Sequence, residues 1–315
     1  MRNHLLRSTM ILAVMWAVWW LAPNPATGQG RGGGAPMQFG GCPAKPADFH
    51  TCAVEKAKTF TPPRAPDGRP DFQGYWRGRP GSAGYSVEAI EEDDPLANHP
   101  LTRWVPGPTQ IVDPPDGKIP YQPWAAKIGR RGGVNFEKYI DPRTACGPGG
   151  IPRNQEGLGQ ILQPTGGDTV MWIFEDFAGP TYRTIAIDGR PHIGQNIKLV
   201  MGDSVGRFEG NSFVIDTTNL SANTWLDDAA NFHTDAAHLV ERLTMIDQNT
   251  IHYQVTLEDP KAYTRPWTMA WPLTREVEPG FELLEMACRE GERVLPWFVT
   301  LYQYYTGNKG VTPPR

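Results

Sequence analysis

The sequence predicts a mostly-β protein in which an antiparallel meander of strands closes into a barrel, with a β-sandwich as the second choice. From residue 158 onward, apolar and polar residues alternate with a period of two, which is typical of strands that bury one face. The connections between these segments are short, and helix signals are scarce. Several strands also place an apolar face opposite an amphipathic one. A barrel accounts for such pairs because its interior and exterior positions alternate along every strand.

The chain begins with a segment typical of a signal peptide. Arg2 and Arg7 precede an apolar run over residues 10–22, and Ala26-Thr27-Gly28 follows as a site suited to cleavage. The run is shorter than the roughly 20 apolar residues of a spanning helix. We therefore expect residues 1–28 to be removed, no membrane span in the mature chain, and a secreted or periplasmic location.

The rest of the chain is predicted to form one β domain with loop-rich additions. Residues 29–70 are expected to be an extended Pro/Gly-rich leader, residues 71–305 the β domain, and residues 306–315 a tail. Within the domain, residues 77–157 are rich in turns. Gly and Pro are numerous, at 34 and 31, but 11 Trp, 12 Phe and 10 Tyr are too many for a disordered chain.

Eight strands make up the predicted meander. They are Val170–Glu175, Thr181–Ile187, Lys198–Glu209, Ser212–Thr218, His238–Asp247, Thr250–Leu257, Trp267–Leu273 and Phe281–Glu290. Gly210-Asn211 suits the positive φ of a two-residue hairpin turn, and places Phe208 opposite Phe213 and Arg207 opposite Val214.

Gln248-Asn249 is predicted to be a second two-residue turn. It places Ile246 opposite Ile251 and Arg242 opposite Val255, so that Arg242 lies on the apolar face. His252 and Glu241 then share the opposite, amphipathic face.

The net charge is −4 at pH 7, with no cluster of Lys and Arg. This composition argues against nucleic acid as a partner, because binding the phosphate backbone needs a concentrated basic surface. Export makes disulfides the expectation for the four cysteines. Of the three possible pairings we favour Cys42–Cys52 with Cys146–Cys288. A zinc site is the alternative, but no Cys-x-x-Cys motif and no Cys/His pair at ligand spacing is present.

The stretch "DFQGYW" contains Gly74-Tyr75-Trp76, which resembles the Gly-x-Trp signature opening the first strand of lipocalin-like barrels. That resemblance implies an antiparallel barrel that binds a small, often apolar molecule in its mouth; a few members are enzymes. It also implies that the loop-rich segment over residues 77–157 wraps or covers the barrel. Longer segments, including "PDGRPDFQGYW" and "GDSVGRFEGNSFVIDTTN", resemble a set of uncharacterised secreted bacterial proteins. This second resemblance implies export and a common fold, and no particular chemistry.

An acid–base set is predicted from His252, Glu285 and Glu241. A histidine that titrates near neutral pH beside a desolvated carboxyl group of raised pKa is suited to proton transfer. The alternative is a cross-strand hydrogen-bonded network without catalysis.

The predicted ligand-binding residues combine charged side chains with tryptophans at the rim of a cavity. The polar candidates are Arg207, Glu209, Asp216, Gln254 and His192, and the aromatic candidates are Trp172, Trp225, Trp267 and Trp271. Trp offers a broad stacking surface and one hydrogen-bond donor. Arg207 and Glu209 could instead form a solvated ion pair. Arg242 and Trp76 are assigned structural roles, with Arg242 packing on Trp76 or pairing with an acid.

The segment "WLDDAANFHTDAAH" offers possible metal ligands in Asp227, Asp228, His233, Asp235 and His238. Their spacing matches no established metal-binding loop, so no metal is predicted, and no cofactor is expected either. Motifs for serine hydrolases, zincins, c-type haem and P-loop NTPases are missing from the sequence.

The sequence is consistent with three functions. The first is binding of a small amphipathic molecule in a partly charged cavity with an aromatic rim. The second is a lyase, isomerase or hydrolase that works in the same cavity without a metal. The third is a glycan-binding or structural β domain with tryptophans on an open face, whose partner would be a saccharide.

Overall fold

The computed structural model describes residues 37–78, 86–93, 106–128, 143, 146–176, 179 and 181–285 of the 315-residue chain. The predicted signal peptide, the start of the leader, the tail and Cys288 lie outside the described residues. The elements are β1 (Gln38–Phe39), β2 (Cys42–Pro43), α1 (Pro46–Ala57), β3 (Gly74–Arg77), β4 (Ile111–Asp113), a 3-10 helix (Arg153–Glu156), β5 (Leu158–Leu162), β6 (Thr169–Phe174), β7 (Thr181–Ala186), β8 (Asp203–Glu209), β9 (Ser212–Thr218), β10 (His238–Asp247), β11 (Thr250–Glu258) and β12 (Trp267–Arg275).

Nine strands close into a barrel, which confirms the predicted class over the β-sandwich. The ring runs β3-β5-β6-β7-β8-β9-β10-β11-β12, and β12 pairs with both β11 and β3 to close it. β4 is a further strand that pairs with β12 through Asp113 and Ile111. The loop-rich segment over residues 77–157 thus contributes β4 and the 3-10 helix.

One strand pair departs from the expected antiparallel meander. β7 and β8 run parallel, with Ile185 beside Ser204 and Ala186 beside Val205. The connection over residues 187–202 crosses over instead of turning back as a hairpin. The strand predicted to begin at Lys198 begins only at Asp203, because Leu199 bridges to Leu220 in the loop that follows β9.

The barrel interior is lined mainly by aromatic and branched apolar side chains. Trp76, Tyr253, Trp267 and Trp271 are among the largest fully buried residues. Gly206 makes room for one of these inner rings, because a Cβ at this position would lie 2.7 Å from the Phe213 ring. The inward residues of β9 to β12 therefore pack as a continuous core.

The first predicted hairpin register is confirmed and the second is wrong. Phe208 lies opposite Phe213 and Arg207 opposite Val214, as expected from the Gly210-Asn211 turn. In the second hairpin a bulge at Ile246 shifts the pairing by one residue. Since side chains alternate along a strand, a one-residue slip moves each of them to the other face.

The corrected register places Glu241 inside the barrel and Arg242 outside. Arg242 donates from Nη2 to Glu209 Oε2 over 2.6 Å, so its predicted pairing with an acid is confirmed and its predicted burial on the apolar face is wrong. The cation that packs on Trp76 is Arg275, whose Cζ lies 4.1 Å from the ring centroid.

The predicted extended leader contains a helix. α1 begins at Pro46 and ends at Ala57, with Asp48 in its first turn and Lys56 in its last. This arrangement suits a proline at the start and complements the helix dipole at both ends. Its Phe49 and Ala53 pack with Ile246 on the outer face of the barrel wall.

The disulfide Cys42–Cys52 is confirmed and joins β2 to α1. Cys146 is also disulfide-bonded, while its predicted partner Cys288 lies outside the described residues. The last predicted strand, Phe281–Glu290, is wrong over its first half, because residues 281–285 are not in a strand. Phe281 instead packs edge-on against Tyr75 at a centroid distance of 5.2 Å.

Candidate functional site

A polar cluster lies inside the barrel, and we call it the inner cluster; it consists of Gln155, Arg183, Glu241 and Tyr253. Arg183 donates from Nη1 to Glu241 Oε2 (2.6 Å) and from Nη2 to Glu241 Oε1 (2.8 Å). Tyr253 Oη donates to Glu241 Oε1 over 2.6 Å, and Gln155 Nε2 donates to the same oxygen over 3.1 Å. The two carboxylate oxygens of Glu241 thus accept four hydrogen bonds.

Four separate elements position the inner cluster. Arg183 lies on β7, Glu241 on β10 and Tyr253 on β11, each at an inward position of its strand, while Gln155 enters from the 3-10 helix. The Arg183 and Glu241 side chains are 2% and 0% exposed. The site is therefore closed to bulk water, which is the sense in which we call it dry, and electrostatic interactions within it are stronger than at the surface.

Aromatic rings surround the inner cluster. Arg183 Cζ lies 5.2 Å from the Trp172 ring centroid, close enough for a cation–π contact. The Tyr253 and Trp271 ring centroids are 4.5 Å apart. Burial first, and then the charge of Glu241, raises the pKa of Tyr253 well above its usual value, so Tyr253 remains a hydrogen-bond donor at physiological pH.

Two polar atoms of the inner cluster have no hydrogen-bond partner among the described residues, namely Arg183 Nε and Gln155 Oε1. We call them the two open atoms. Their side chains are 97% or more buried. A buried polar atom without a partner costs about 1–3 kcal/mol, so each calls for a partner such as an ordered water or a ligand.

The three residues of the predicted acid–base set lie in three different places. Glu241 is inside the barrel, and Glu285 is exposed beyond β12. His252 is on the outer face beneath α1, where its Nε2 lies 3.0 Å from His50 Nδ1 and its ring packs against Phe49. Burial, and then the neighbouring His50, lowers the pKa of His252 to about 3. The shared face predicted for His252 and Glu241 is wrong because of the slip in the second hairpin.

The predicted cavity residues Arg207, Glu209 and Gln254 are on the outer face. Arg207 donates from Nε to Glu209 Oε1 over 2.6 Å, and the side chains are 57% and 38% exposed. Gln254 is half-buried and lies opposite Arg242. For Arg207 and Glu209 the alternative of a solvated ion pair is therefore the observed one, because they alternate with the inward Phe208.

The predicted tryptophan rim is also corrected. Trp172, Trp267 and Trp271 are buried in the core and cannot form an open face. Trp225 is half-buried in a loop, where it bridges to Phe232. The first three line the barrel interior because they occupy inward positions of β6 and β12.

A second polar cluster lies on the outer face, and we call it the outer cluster; it contains His192, Asp203, Asp216 and His238. His192 reaches Asp203 Oδ2 with Nδ1 (2.9 Å) and Asp216 Oδ1 with Nε2 (3.1 Å). His238 Nε2 lies 2.9 Å from the same Asp216 oxygen. Asp216 raises the pKa of His238 above its usual value. Burial opposes ionisation of Asp203, but Arg190 and His192 outweigh it and lower the pKa of Asp203 to about 2.

The possible metal ligands in the segment over residues 225–238 bind separate partners. Asp227 is buried, accepts from the amides of Val87 and Asn231, and has its pKa raised by burial. The other four contact different groups: Asp228 pairs with Arg153, His233 with Thr224, Asp235 with Lys261, and His238 with Asp216. In the part of the chain that the structure describes, no three His, Cys, Asp or Glu side chains are arranged to hold a metal ion.

Three residues of the inner cluster, Gln155, Arg183 and Tyr253, were missed by the sequence analysis. Arg183 lies in the predicted strand Thr181–Ile187 at the same face as Ile185, so an arginine at an apolar position was the available signal. Gln155 lies between strands, and no sequence pattern indicates that its loop enters the barrel.

No family model matches the sequence, and no curated protein matches it. Among solved structures the chain is similar to a REP1-NXSQ fatty acid transporter, at 10% identity and a TM-score of 0.23, over 38% of this chain and 70% of that one. A similarity this small carries no argument about function. Among the described residues, none of the helices has the length and apolar character needed to cross a membrane.

Proposed function

We propose that this protein is an exported barrel that binds a small amphipathic molecule in its interior. The polar end of the molecule contacts the inner cluster, and its apolar part contacts the rings of Trp172 and Trp271. The observation that carries this proposal is the pair of open atoms, Arg183 Nε and Gln155 Oε1, in a dry site.

The free-energy cost of burying the charges of the inner cluster indicates that the cluster is retained for a function and not for stability. An apolar replacement of a buried ion pair is often neutral or stabilising, so such a pair is weak evidence for a role in stability. In this barrel the pair lies among large apolar rings, where Leu or Met would pack without open polar atoms. A ligand that completes the hydrogen bonding gives the cluster a reason to be retained.

Export is part of the same proposal. The N-terminal sequence has the pattern of a signal peptide, and the Cys42–Cys52 disulfide suits an oxidising compartment. A secreted or periplasmic location follows from these two features as an expectation, and the resemblance of the longer segments to exported bacterial proteins supports it.

Native mass spectrometry of protein purified from an exported fraction, with disulfides intact, tests the binding function. We expect a small molecule to co-purify with the native chain and to be lost from the double variant Arg183→Met/Glu241→Leu, which replaces the inner pair by apolar side chains. The matched control is Glu209→Gln/Arg242→Met, which removes the exposed pair and should keep the molecule. The same bound mass in the inner double variant would contradict the proposal.

A further inference from the structure

The inner cluster also defines the chemistry of the polar end of the ligand, on the basis of the proposed binding function. We infer that the ligand is an apolar alcohol or phenol, whose hydroxyl group contacts both open atoms, and not a carboxylate or an amine. The inference depends on charge, on hydrogen-bond complementarity and on the aromatic surroundings.

The balanced charges of the inner cluster exclude a ligand whose polar end is ionised. The guanidinium of Arg183 and the carboxylate of Glu241 form a two-pronged pair and neutralise one another. The charges near Tyr253 that raise its pKa, after burial, include Glu241 and Glu156, and Arg183 opposes them. A ligand carboxylate would therefore add an unpaired negative charge to a buried site, and an ammonium group would add a positive one beside Arg183. Either is strongly unfavourable.

Hydrogen bonding favours a group that both accepts and donates. Arg183 Nε carries a hydrogen and requires an acceptor. The orientation of the Gln155 amide is fixed by its neighbour, because Glu241 Oε1 already accepts from other donors and so faces Nε2. The open side of Gln155 is thus an acceptor that requires a donor. One hydroxyl group can accept from Arg183 Nε and donate to Gln155 Oε1.

The side chains that carry the two open atoms meet at one carboxylate oxygen. Arg183 Nη2 and Gln155 Nε2 both bind Glu241 Oε1, at 2.8 and 3.1 Å. The inferred hydroxyl group of the ligand lies between the two open atoms, beside this shared oxygen. Aromatic rings lie beside Arg183, with Trp172 under its guanidinium and stacked on Phe174 at 5.2 Å, and such rings suit an apolar chain or ring.

Matched probes with an eight-carbon chain test this inference by titration of the oxidised, ligand-stripped protein at pH 7.5, followed by calorimetry and by tryptophan fluorescence. The probes are 1-octanol, its methyl ether, octanoate and octylammonium. We expect 1-octanol to bind at least tenfold more tightly than the two charged probes. It should also bind at least fivefold more tightly than the ether, although the ether is more apolar, because the ether accepts but cannot donate.

A substitution of Gln155 tests the role of its open acceptor atom, Oε1. Gln155→Met should remove the preference for 1-octanol over its methyl ether, while Gln254→Met, a matched change on the outer face, should leave it intact. If Gln155→Met does not fold, the comparison of the four probes on the native chain still decides. Octanoate binding as tightly as 1-octanol, or the ether binding as tightly, would overturn the inference and leave the proposed function standing. If no probe binds and no small molecule co-purifies, the inferred ligand chemistry and the proposed binding function are both wrong.

Discussion

Two neighbouring residues of β10 make charge pairs on opposite faces of the barrel wall. Glu241 points inward and pairs with Arg183, with side-chain exposures of 0% and 2%, whereas Arg242 points outward and pairs with Glu209, with exposures of 41% and 38%. The chemistry of the two pairs is the same. The inner pair loses the hydration of two charges, whereas the outer pair keeps most of its hydration. The face of the strand therefore determines how much each ion pair contributes to the stability of the fold.

The outer face itself divides into a dry and a wet part. Beneath α1, His252 is buried against His50 and Phe49, and burial lowers its pKa. In the outer cluster, His238 is half-exposed beside Asp216, which raises its pKa. A covering helix thus gives an outward residue the environment of a core residue, while an uncovered one responds to the charges beside it.

Removing one member of each charge pair should give the largest contrast. Glu241→Ala leaves Arg183 charged and buried, so we expect the free energy of unfolding to fall by about 3–5 kcal/mol. Glu209→Ala, its exposed counterpart, should cost less than about 1 kcal/mol. Chemical denaturation of the oxidised protein at pH 7.5 measures both changes, and equal losses would refute the assignment of the two faces.

The double variant Arg183→Met/Glu241→Leu separates stability from function. We expect it to recover most of the stability that Glu241→Ala loses, because no unpaired charge remains and apolar side chains fill the site. Ligand binding should not return. A double variant as unstable as Glu241→Ala would show that the pair is retained for folding and would remove one support of the proposed function.

The dry part of the outer face should lose stability in acid. The folded-state pKa of His252 is about 3, below that of an unfolded histidine at about 6.5, so the unfolded chain binds the extra proton. The contribution is complete above about pH 6.5 and falls as the pH drops towards 3, by about 2 kcal/mol at pH 5. His252→Leu should reduce this loss in denaturation curves measured from pH 7.5 to 4.5. An unchanged acid profile would contradict burial of a neutral His252.

The wet part should respond with the opposite sign. The pKa of His238 is raised by Asp216, so its contribution is fully present below about pH 6.5 and is lost as the pH rises through the folded-state value. His192 also lies beside Asp216 and Glu258 beside His238, and His192 in turn contacts Asp203. His238→Gln should therefore lower stability more at pH 6 than at pH 9. A difference that grows with pH would show that Asp216 does not stabilise the protonated ring.

The sequence predicts the barrel and most of its strands because burial of one face imposes a period of two over long segments. Glu209 and Ser212 flank the Gly210-Asn211 turn as expected, because this turn fixes the register without irregularity. The bulge at Ile246 has no local signature, since an apolar residue there suits either face. The one extra residue moves Glu241 to the apolar, inner face and Arg242 to the outer face. Glu241 and His252 therefore do not share a face, and the predicted acid–base set does not form.

The candidate site could be predicted only in part. Glu241 was predicted to be a site residue on an amphipathic face, and it lies buried inside the barrel, whereas Glu285, the carboxyl group expected to be desolvated, is exposed. The partner of Glu241, Arg183, comes from the opposite wall, and Gln155 from a loop that enters the barrel, so their meeting depends on closure of the ring and not on local spacing. Helix α1 was missed for a related reason: its burial depends on the wall beneath it, although Pro46 and Asp48 were readable start signals.

We expect the smallest coupling energy from the exposed pair of Arg242 and Glu209. The salt dependence of that coupling energy distinguishes the exposed pair from the buried one. A double-mutant cycle on Arg242→Ala and Glu209→Ala should give a coupling energy of about 0.2–1 kcal/mol at low salt. At 1 M salt the Debye length shortens to about 3 Å, so this coupling should largely disappear. The same cycle on Arg183 and Glu241 should give a coupling that salt barely changes, because ions do not enter the barrel interior. If both couplings fall together with salt, the interior is open to water, and the dry site on which the choice of a neutral ligand depends does not exist.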